Sequence, residues 1–315
     1  GRCFIATETT SALATRGHYD MPSDTIKRWP IRWDLPFTQG NSNHTVSAYD
    51  HVSTPWGSTH METWRIIKKH QYMSGMFVWT GFDYLGEPTP YGWPSRSSYF
   101  GIVDLAGFPK DSYYMYQSEW TDTPVLHIFP HWNWAPGDVV DVWSYTSADE
   151  VELFLNGESF GKKAKGVDDL HLWWRVPYQP GTIRALGYKN GVQVLGKEGK
   201  TADQPSAIKL IADRQTLVAG GEDLSFITVD ITDRHGIHHP LADNQIQFTV
   251  EGPGILVGTD NGDPTSHESF RSNTRRAFKG LCLVVIQSAT EPGTVTLRAT
   301  SPGLADANVT IKSVR

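Results

Sequence analysis

The stretch Cys3-Phe4-Ile5-Ala6-Thr7-Glu8-Thr9-Thr10-Ser11 decides how the rest of the chain is read. A short apolar, β-prone run ends on a lone acid, Glu8, and small polar residues follow it. After it, residues 17–57 are polar and rich in Pro and Trp, a loop long enough to suggest function. The segment STHMETWRIIKKHQYM (58–73) then reads as a helix. Thr59 and Glu62 stand at capping-box spacing, and Met61, Trp64, Ile67 and Tyr72 supply an apolar stripe. SGMFVWTGFDYL (74–85) reads as a buried strand, and PKDSYYMYQSEW (109–120) as a second helix beginning after Pro109. Strand, helix, strand describes a βαβ unit with parallel strands.

Such a stub cannot bury both faces and the open edge of a parallel sheet. It reads as the end of a (β/α)8 barrel whose beginning is missing. From about residue 124 the pattern changes to all-β: VVDVWSYT, EVELFLNGESFG and TIRALGYKNGVQVLG alternate or run apolar. Asn156-Gly157 and Asn190-Gly191 are strong hairpin signals between them. TADQPSA (201–207) reads as a linker, and LSFITVDITD, IQFTVEG, CLVVIQS and TVTLRAT follow at sandwich spacing. The expected organisation is a partial barrel over 1–120, a β-sandwich over 121–204, and an immunoglobulin-like β-sandwich over 205–315. The fold class is multidomain and mainly β, a C-terminal barrel fragment followed by two sandwiches.

With 315 residues, 39% apolar and 20% charged, the chain has the composition of a folded globular protein. A net charge of −6 leaves no basic footprint for nucleic acid. No apolar run approaches membrane-spanning length. Cys3 and Cys282 stand far apart, each in a strand-like run, so neither a disulfide framework nor a CxxC metal site is expected. The long loop supplies His18, Asp20, Trp29, Trp33, His44 and His51, without an evident metal-ligand spacing. TDNGDP (259–264) lacks the ladder of an EF-hand loop and reads as a turn. Sequons at Asn43 and Asn308 are ascribed to chance. No cofactor is evident.

The segments FIATETTSALATRG and SGMFVWTGFDYLGEPTPYGWPSRSSYFGIVDLAGFPKD resemble the last quarter of the barrel of glycoside hydrolase family 2. The likeness is to bacterial β-galactosidases with extra C-terminal sandwiches, and HIFPHWNWAPGD with VELFLNGESFGKK resembles the sandwich that follows the barrel there. It covers essentially the whole chain and is strongest over 4–16, 75–111 and 126–162. By this resemblance Glu8 is the catalytic nucleophile at the end of the seventh barrel strand, oriented by its polar neighbours. Barrel sites lie at strand C-termini, and a retaining glycosidase needs such a carboxylate roughly 5 to 5.5 Å from a second one. The resemblance further makes Trp79, ending the eighth strand, the floor beneath a terminal galactose, and Glu87 an acid bonded to sugar hydroxyls. Tyr91 and Trp93 are candidates for an outer subsite. Asp83 and Arg16 are expected in structural roles.

β-Glucuronidases of the family hold the uronate with an Asn-x-Lys pair, where this chain has Ser98-Tyr99-Phe100. The absent cation favours a neutral β-galactoside, because an unpaired buried charge is costly. The family's general acid/base is a Glu after an Asn on the fourth strand, and the chain contains no Asn-Glu pair. The expectation is a glycosidase portion that carries the nucleophile and is inactive alone, partnered by the missing N-terminal segment. A metal ion in the complete enzyme and a periplasmic or secreted location are what the resemblance implies. The alternative is a non-catalytic carbohydrate-binding or structural fragment, with His131, Trp132, Asn133 and Trp134 as its stacking surface or as packing.

Overall fold

In the computed structural model, which describes residues 2–32 and 34–315, the N-terminal run is strand β1 (Phe4–Thr10). Gly1 and Trp33, one of the long-loop aromatics, lie outside the described residues. Two short paired strands, β2 (Lys27–Arg28) and β3 (Val52–Ser53), precede helix α1 (His60–Ile67), strand β4 (Met73–Trp79) and helix α2 (Asp111–Trp120).

Helix α1 starts where its sequence says it should. The Thr59 backbone N–H donates to Glu62 at 2.8 Å while Glu62 N–H donates to the Thr59 hydroxyl at 3.3 Å, completing the capping box. The buried Asp50 carboxylate accepts from His60 N at 2.9 Å and Met61 N at 2.6 Å, negative charge at the positive end of the helix dipole. Burial nonetheless raises its pKa to about 6. Met61 is buried and Trp64 and Ile67 half-buried, but Tyr72 lies past the end of the helix and is exposed, so it does not extend the stripe.

β1 and β4 pair in parallel, with Phe4 opposite Met73, Ile5 opposite Gly75 and Thr10 opposite Trp79. Alternation along β4 divides its side chains between two faces. Met76 and Val78 pack on a core that includes Met61 from α1 and Met115 and Tyr116 from α2. Phe77 and Trp79 point to the other face, where they are 58% and 36% exposed, and Phe4 and Ile5 on β1 are more than half exposed. Among the described residues, helices cover this sheet on one side only.

Seven strands follow: β5 (Leu126–Phe129), β6 (Val139–Thr146), β7 (Glu150–Leu155), β8 (Glu158–Ala164), β9 (Leu172–Pro177), β10 (Thr182–Lys189) and β11 (Val192–Lys200). They form two sheets, β5-β6-β9 and β11-β10-β7-β8, around Val140, Val142, Leu153, Trp174 and Ile183. Asn156-Gly157 joins β7 to β8 and Asn190-Gly191 joins β10 to β11. All four residues have positive φ, the type I′ geometry that matches strand twist.

The chain divides into two compact units, Gly1–Thr201 and Ala202–Arg315. The second holds β12 (Ala207–Ala212), β13 (Thr216–Val218), β14 (Leu224–Thr232), β15 (Gln245–Glu251), β16 (Gly254–Asp260), β17 (Thr274–Arg276), β18 (Leu281–Ser288), β19 (Gly293–Thr300) and β20 (Ala307–Val314). Its sheets are β12-β14-β18-β16 and β13-β20-β19-β15-β17. Period-two burial is clean in β18, where Cys282, Val284 and Ile286 point inward. Asp263 closes the TDNGDP turn by accepting from the Thr265 N–H and hydroxyl, each at 2.8 Å.

His60 links α1 to α2 through a 3.0 Å hydrogen bond between its Nδ1 and the Tyr116 hydroxyl. Burial, with Lys110 adding to it, pushes its pKa down to about 3 from 6.5. The unfolded chain therefore binds a proton that the folded chain refuses, and stability is lost as pH falls below 6.5. At about 1.4 kcal/mol per pH unit, His60 should account for about 2 kcal/mol lost between about pH 7 and 5. His60→Gln should flatten the pH dependence of the urea midpoint across that window. An unchanged slope would contradict the assignment.

Candidate functional site

Parallel pairing places the C-terminal ends of β1 and β4 side by side. Thr10 lies opposite Trp79, and Glu8 falls in the irregular stretch of β1 between Ala6 and Thr9, so both residues stand toward the same end of the sheet. The Thr9 hydroxyl donates to the Phe77 carbonyl at 2.9 Å and the Thr10 hydroxyl to the Trp79 carbonyl at 3.0 Å. These threonines stitch the strand pair together and do not orient the acid, a correction to the expectation from sequence. The Glu8 side chain is exposed.

The chain leaves β1 through an unusual turn. Thr10 and Ser11 have φ of 75° and 70°, a left-handed conformation that is rare for a β-branched residue. Ser58 N–H donates to the Thr10 carbonyl at 2.7 Å and Thr54 N–H to the Ser11 carbonyl at 3.0 Å. Gly57 packs so closely that a Cβ there would lie 2.1 Å from the Thr10 oxygen. The 54–58 segment thus dictates the exit geometry next to Glu8.

Trp79 is followed by a cis peptide to Thr80, and its ring meets Tyr84 edge-on with centroids 5.9 Å apart. The Tyr84 hydroxyl donates to the Glu87 carboxylate. Burial and then Glu87 raise the pKa of Tyr84, so it stays a donor. Tyr84 is the residue that reading the sequence missed: it connects the indole to the second acid. Only its place between Trp79 and Glu87 hinted at this.

Asp83 and Arg16 have the structural roles expected of them. Arg16 Nε lies 2.6 Å from Asp104, with its guanidinium 4.9 Å over the Phe108 ring. Asp83 is buried 2.7 Å from Lys110 Nζ and accepts from Gly101 N–H at 2.8 Å. Burial, partly opposed by Lys110, sets its pKa at about 6. Lys110 Nζ also donates to the carbonyls of Ala14 at 2.8 Å and Tyr99 at 3.2 Å. One ammonium therefore ties the segment after β1 to the loop after β4.

Tyr91 is not available to line a subsite. It is buried, donates to the Thr45 carbonyl at 2.7 Å and stacks on His44 at 4.7 Å. Trp93 in the same loop is 79% exposed. His18 bonds Asp20 at 3.0 Å and His44 bonds Ser95 at 3.0 Å. Among the described residues no three His, Cys, Asp or Glu are gathered to hold a metal ion. What remains at the strand ends is an exposed carboxylate, a half-exposed indole and a tyrosine-braced acid. Such a set can act on, stack against and hydrogen-bond a polyhydroxylated ring.

Residues 208–310 match the glycoside hydrolase family 2 C-terminal domain 5, and residues 137–195 match a domain of unknown function, DUF4982. The chain is 54% identical, over 98% of its length, to the β-galactosidase BoGH2A of Bacteroides ovatus. The chain belongs to glycoside hydrolase family 2. It spans 36% of the length of the B. ovatus enzyme. Among solved structures, a β-glycosidase from Bacteroides vulgatus superposes on 98% of the chain with a TM-score of 0.88 at 35% identity, the chain covering 42% of it. A family 2 β-glucuronidase superposes on 98% with a TM-score of 0.75 at 25% identity, 31% of that chain being covered.

In this family 2 chain the aromatic run before β6 is packing. Trp132 is 1% exposed in the sandwich core and donates to the Gln179 carbonyl at 2.9 Å, and Trp134 donates to the His131 carbonyl at 2.7 Å. Lys110→Met leaves Asp83 buried without its counter-charge, a loss of about 3–5 kcal/mol for broken buried pairs. Guanidinium unfolding of the chain measures it. A loss below about 1 kcal/mol would show that the pair does not hold the two loops.

Proposed function

We propose that this chain carries the nucleophile wall and the trailing sandwiches of an exo-acting, retaining β-galactosidase. The observation that carries the reading is that Glu8 and Trp79 stand toward the same end of two parallel strands, with Tyr84 and Glu87 beside them. In this reading β1 and β4 are the seventh and eighth strands of a (β/α)8 barrel. The domains are 1–120, 121–204 and 205–315. The apolar face bearing Phe77 and the free edge of β1 are where the remaining strands close, burying surface that would otherwise invite aggregation.

Glu8 attacks the anomeric carbon to form a covalent glycosyl-enzyme, and water releases the sugar with retention. Trp79 underlies the C–H face of the terminal galactose, Glu87, held by Tyr84, bonds ring hydroxyls, and Trp93 stands at the outer rim. The acid/base carboxylate comes from strands outside this sequence. Ser98, Tyr99 and Phe100 are buried, and Tyr99 donates to the His44 carbonyl at 2.6 Å. No cation occupies these three positions to pair a uronate, which supports a neutral hexoside. The identity to a β-galactosidase supports the same choice. Burial of Trp132 counts against the His131–Trp134 run as a stacking surface.

Joined to upstream barrel strands, the protein should hydrolyse aryl β-galactosides in preference to aryl β-glucuronides. Glu8→Gln should lower kcat by roughly 1,000-fold or more, since loss of a covalent nucleophile removes the route itself. The 315-residue chain alone should not turn over. Near-unaltered turnover by Glu8→Gln, by the chain alone, or faster glucuronide cleavage would each refute the assignment.

A further inference from the structure

We propose that a cavity of about 330 Å³ between α1, the 23–51 segment and strands β6 and β9 is a binding site for a neutral sugar. The inference does not rest on the role given to Glu8, because the cavity shares no lining residue with Glu8, Trp79, Tyr84 or Glu87. Its volume falls within the range of small-molecule sites, roughly 300–1,000 Å³.

Three features point to the ligand. The wall is aromatic: Trp173 on β9 lines the cavity while 40% exposed, and Trp143 on β6 lines it with His171 stacked on it at 3.9 Å. Lys163 and Arg175 lie over the Trp173 ring at 5.1 and 5.5 Å, and the part of the indole that stays exposed is the surface offered to the C–H face of a pyranose. Next, His51 lines the cavity, is 2% exposed, and has an Nε2 with no partner. Its Nδ1 lies 3.3 Å from the Ser23 carbonyl, which can only accept, so Nδ1 holds the proton and Nε2 presents a bare lone pair. Burial lowers the pKa of His51 and keeps it neutral. A buried acceptor left unpaired is unfavourable, and a ligand hydroxyl would satisfy it.

The third feature is charge. Glu62 is held by Arg28 at 2.7 Å, Arg175 by Asp141 at 2.7 Å, and Asp50 by two helix N–H groups. Arg65 donates to the Asp168 carbonyl at 3.1 Å. The wall sets Asp24, Asp50 and Glu62 against Arg65 and Arg175, with Asp24 3.7 Å from Arg175, so charge of neither sign gathers there to select a phosphate, a carboxylate or a bare cation. A neutral ring with hydroxyls to donate and accept fits what is left.

Calorimetric titration of the chain with methyl β-D-galactopyranoside, methyl β-D-glucopyranoside and glucuronate at millimolar concentration tests this, with the Trp79→Ala, Trp173→Ala and His51→Phe variants. Circular dichroism checks that each variant is folded. Saturable binding of a neutral glycoside is expected in the unaltered chain and in Trp79→Ala, and roughly tenfold weaker or absent in Trp173→Ala. The exposed Trp173 tests the wall should His51→Phe fail to fold. Binding lost in Trp79→Ala but intact in Trp173→Ala would place the sugar at the strand ends and overturn the proposal. Glucuronate bound as well as the neutral glycosides would overturn it, as would no binding at all, which leaves a cavity for water only.

Discussion

The rest of the first unit depends on the register in which Thr10 faces Trp79. Parallel strands cannot be joined by a tight turn, so a crossover must carry the chain back, and α1 is part of that crossover. The crossover places both strand ends on one side and the helices on one face. Everything chemically suggestive in this region follows from it: the exposed acid, the indole beside it, and the loop in which Tyr84 braces Glu87. Lys110 then locks the arrangement, since its ammonium reaches Asp83 and the carbonyls of Ala14 and Tyr99 together. A buried cation with three such partners is satisfied, whereas any of the three left alone would not be.

Local signals in the sequence proved legible. The Thr59–Glu62 box and the two Asn-Gly turns each depend on residues a few positions apart, and each appears where the spacing puts it. Parallel pairing of β1 and β4 was legible too, because a helix between two apolar runs leaves few alternatives. Contacts that close over long stretches of chain were not. Nothing near Lys110 announces that it meets Asp83, and Tyr91 looks like a loop aromatic until the 41–45 segment is seen folded onto it. The left-handed turn at Thr10 and Ser11 is likewise set from outside, by Gly57 and its neighbours, and Thr is a poor advertisement for positive φ.

The aromatic richness of the chain resolves into separate uses. Trp132 and Trp174 fill the first sandwich, while Tyr49, Phe129, Trp143 and Tyr145 pack that sandwich onto the helices. Trp56, Trp79, Trp93, Trp120 and Trp173 remain accessible. Accessibility, which composition does not reveal, separates rings that build the fold from rings that can meet a ligand. Phe77 and Phe82 are exposed as well, Phe77 on the sheet face that helices do not cover.

The central claim is that the carboxylate of Glu8 forms the covalent bond to the sugar. A 2-deoxy-2-fluoro-β-galactosyl fluoride slows release of the glycosyl-enzyme, so the trapped protein can be digested and its peptides sequenced by mass spectrometry. With this chain joined to upstream barrel strands, the account predicts a single fluorogalactosyl ester on the peptide containing Glu8. An ester on any other residue would contradict it.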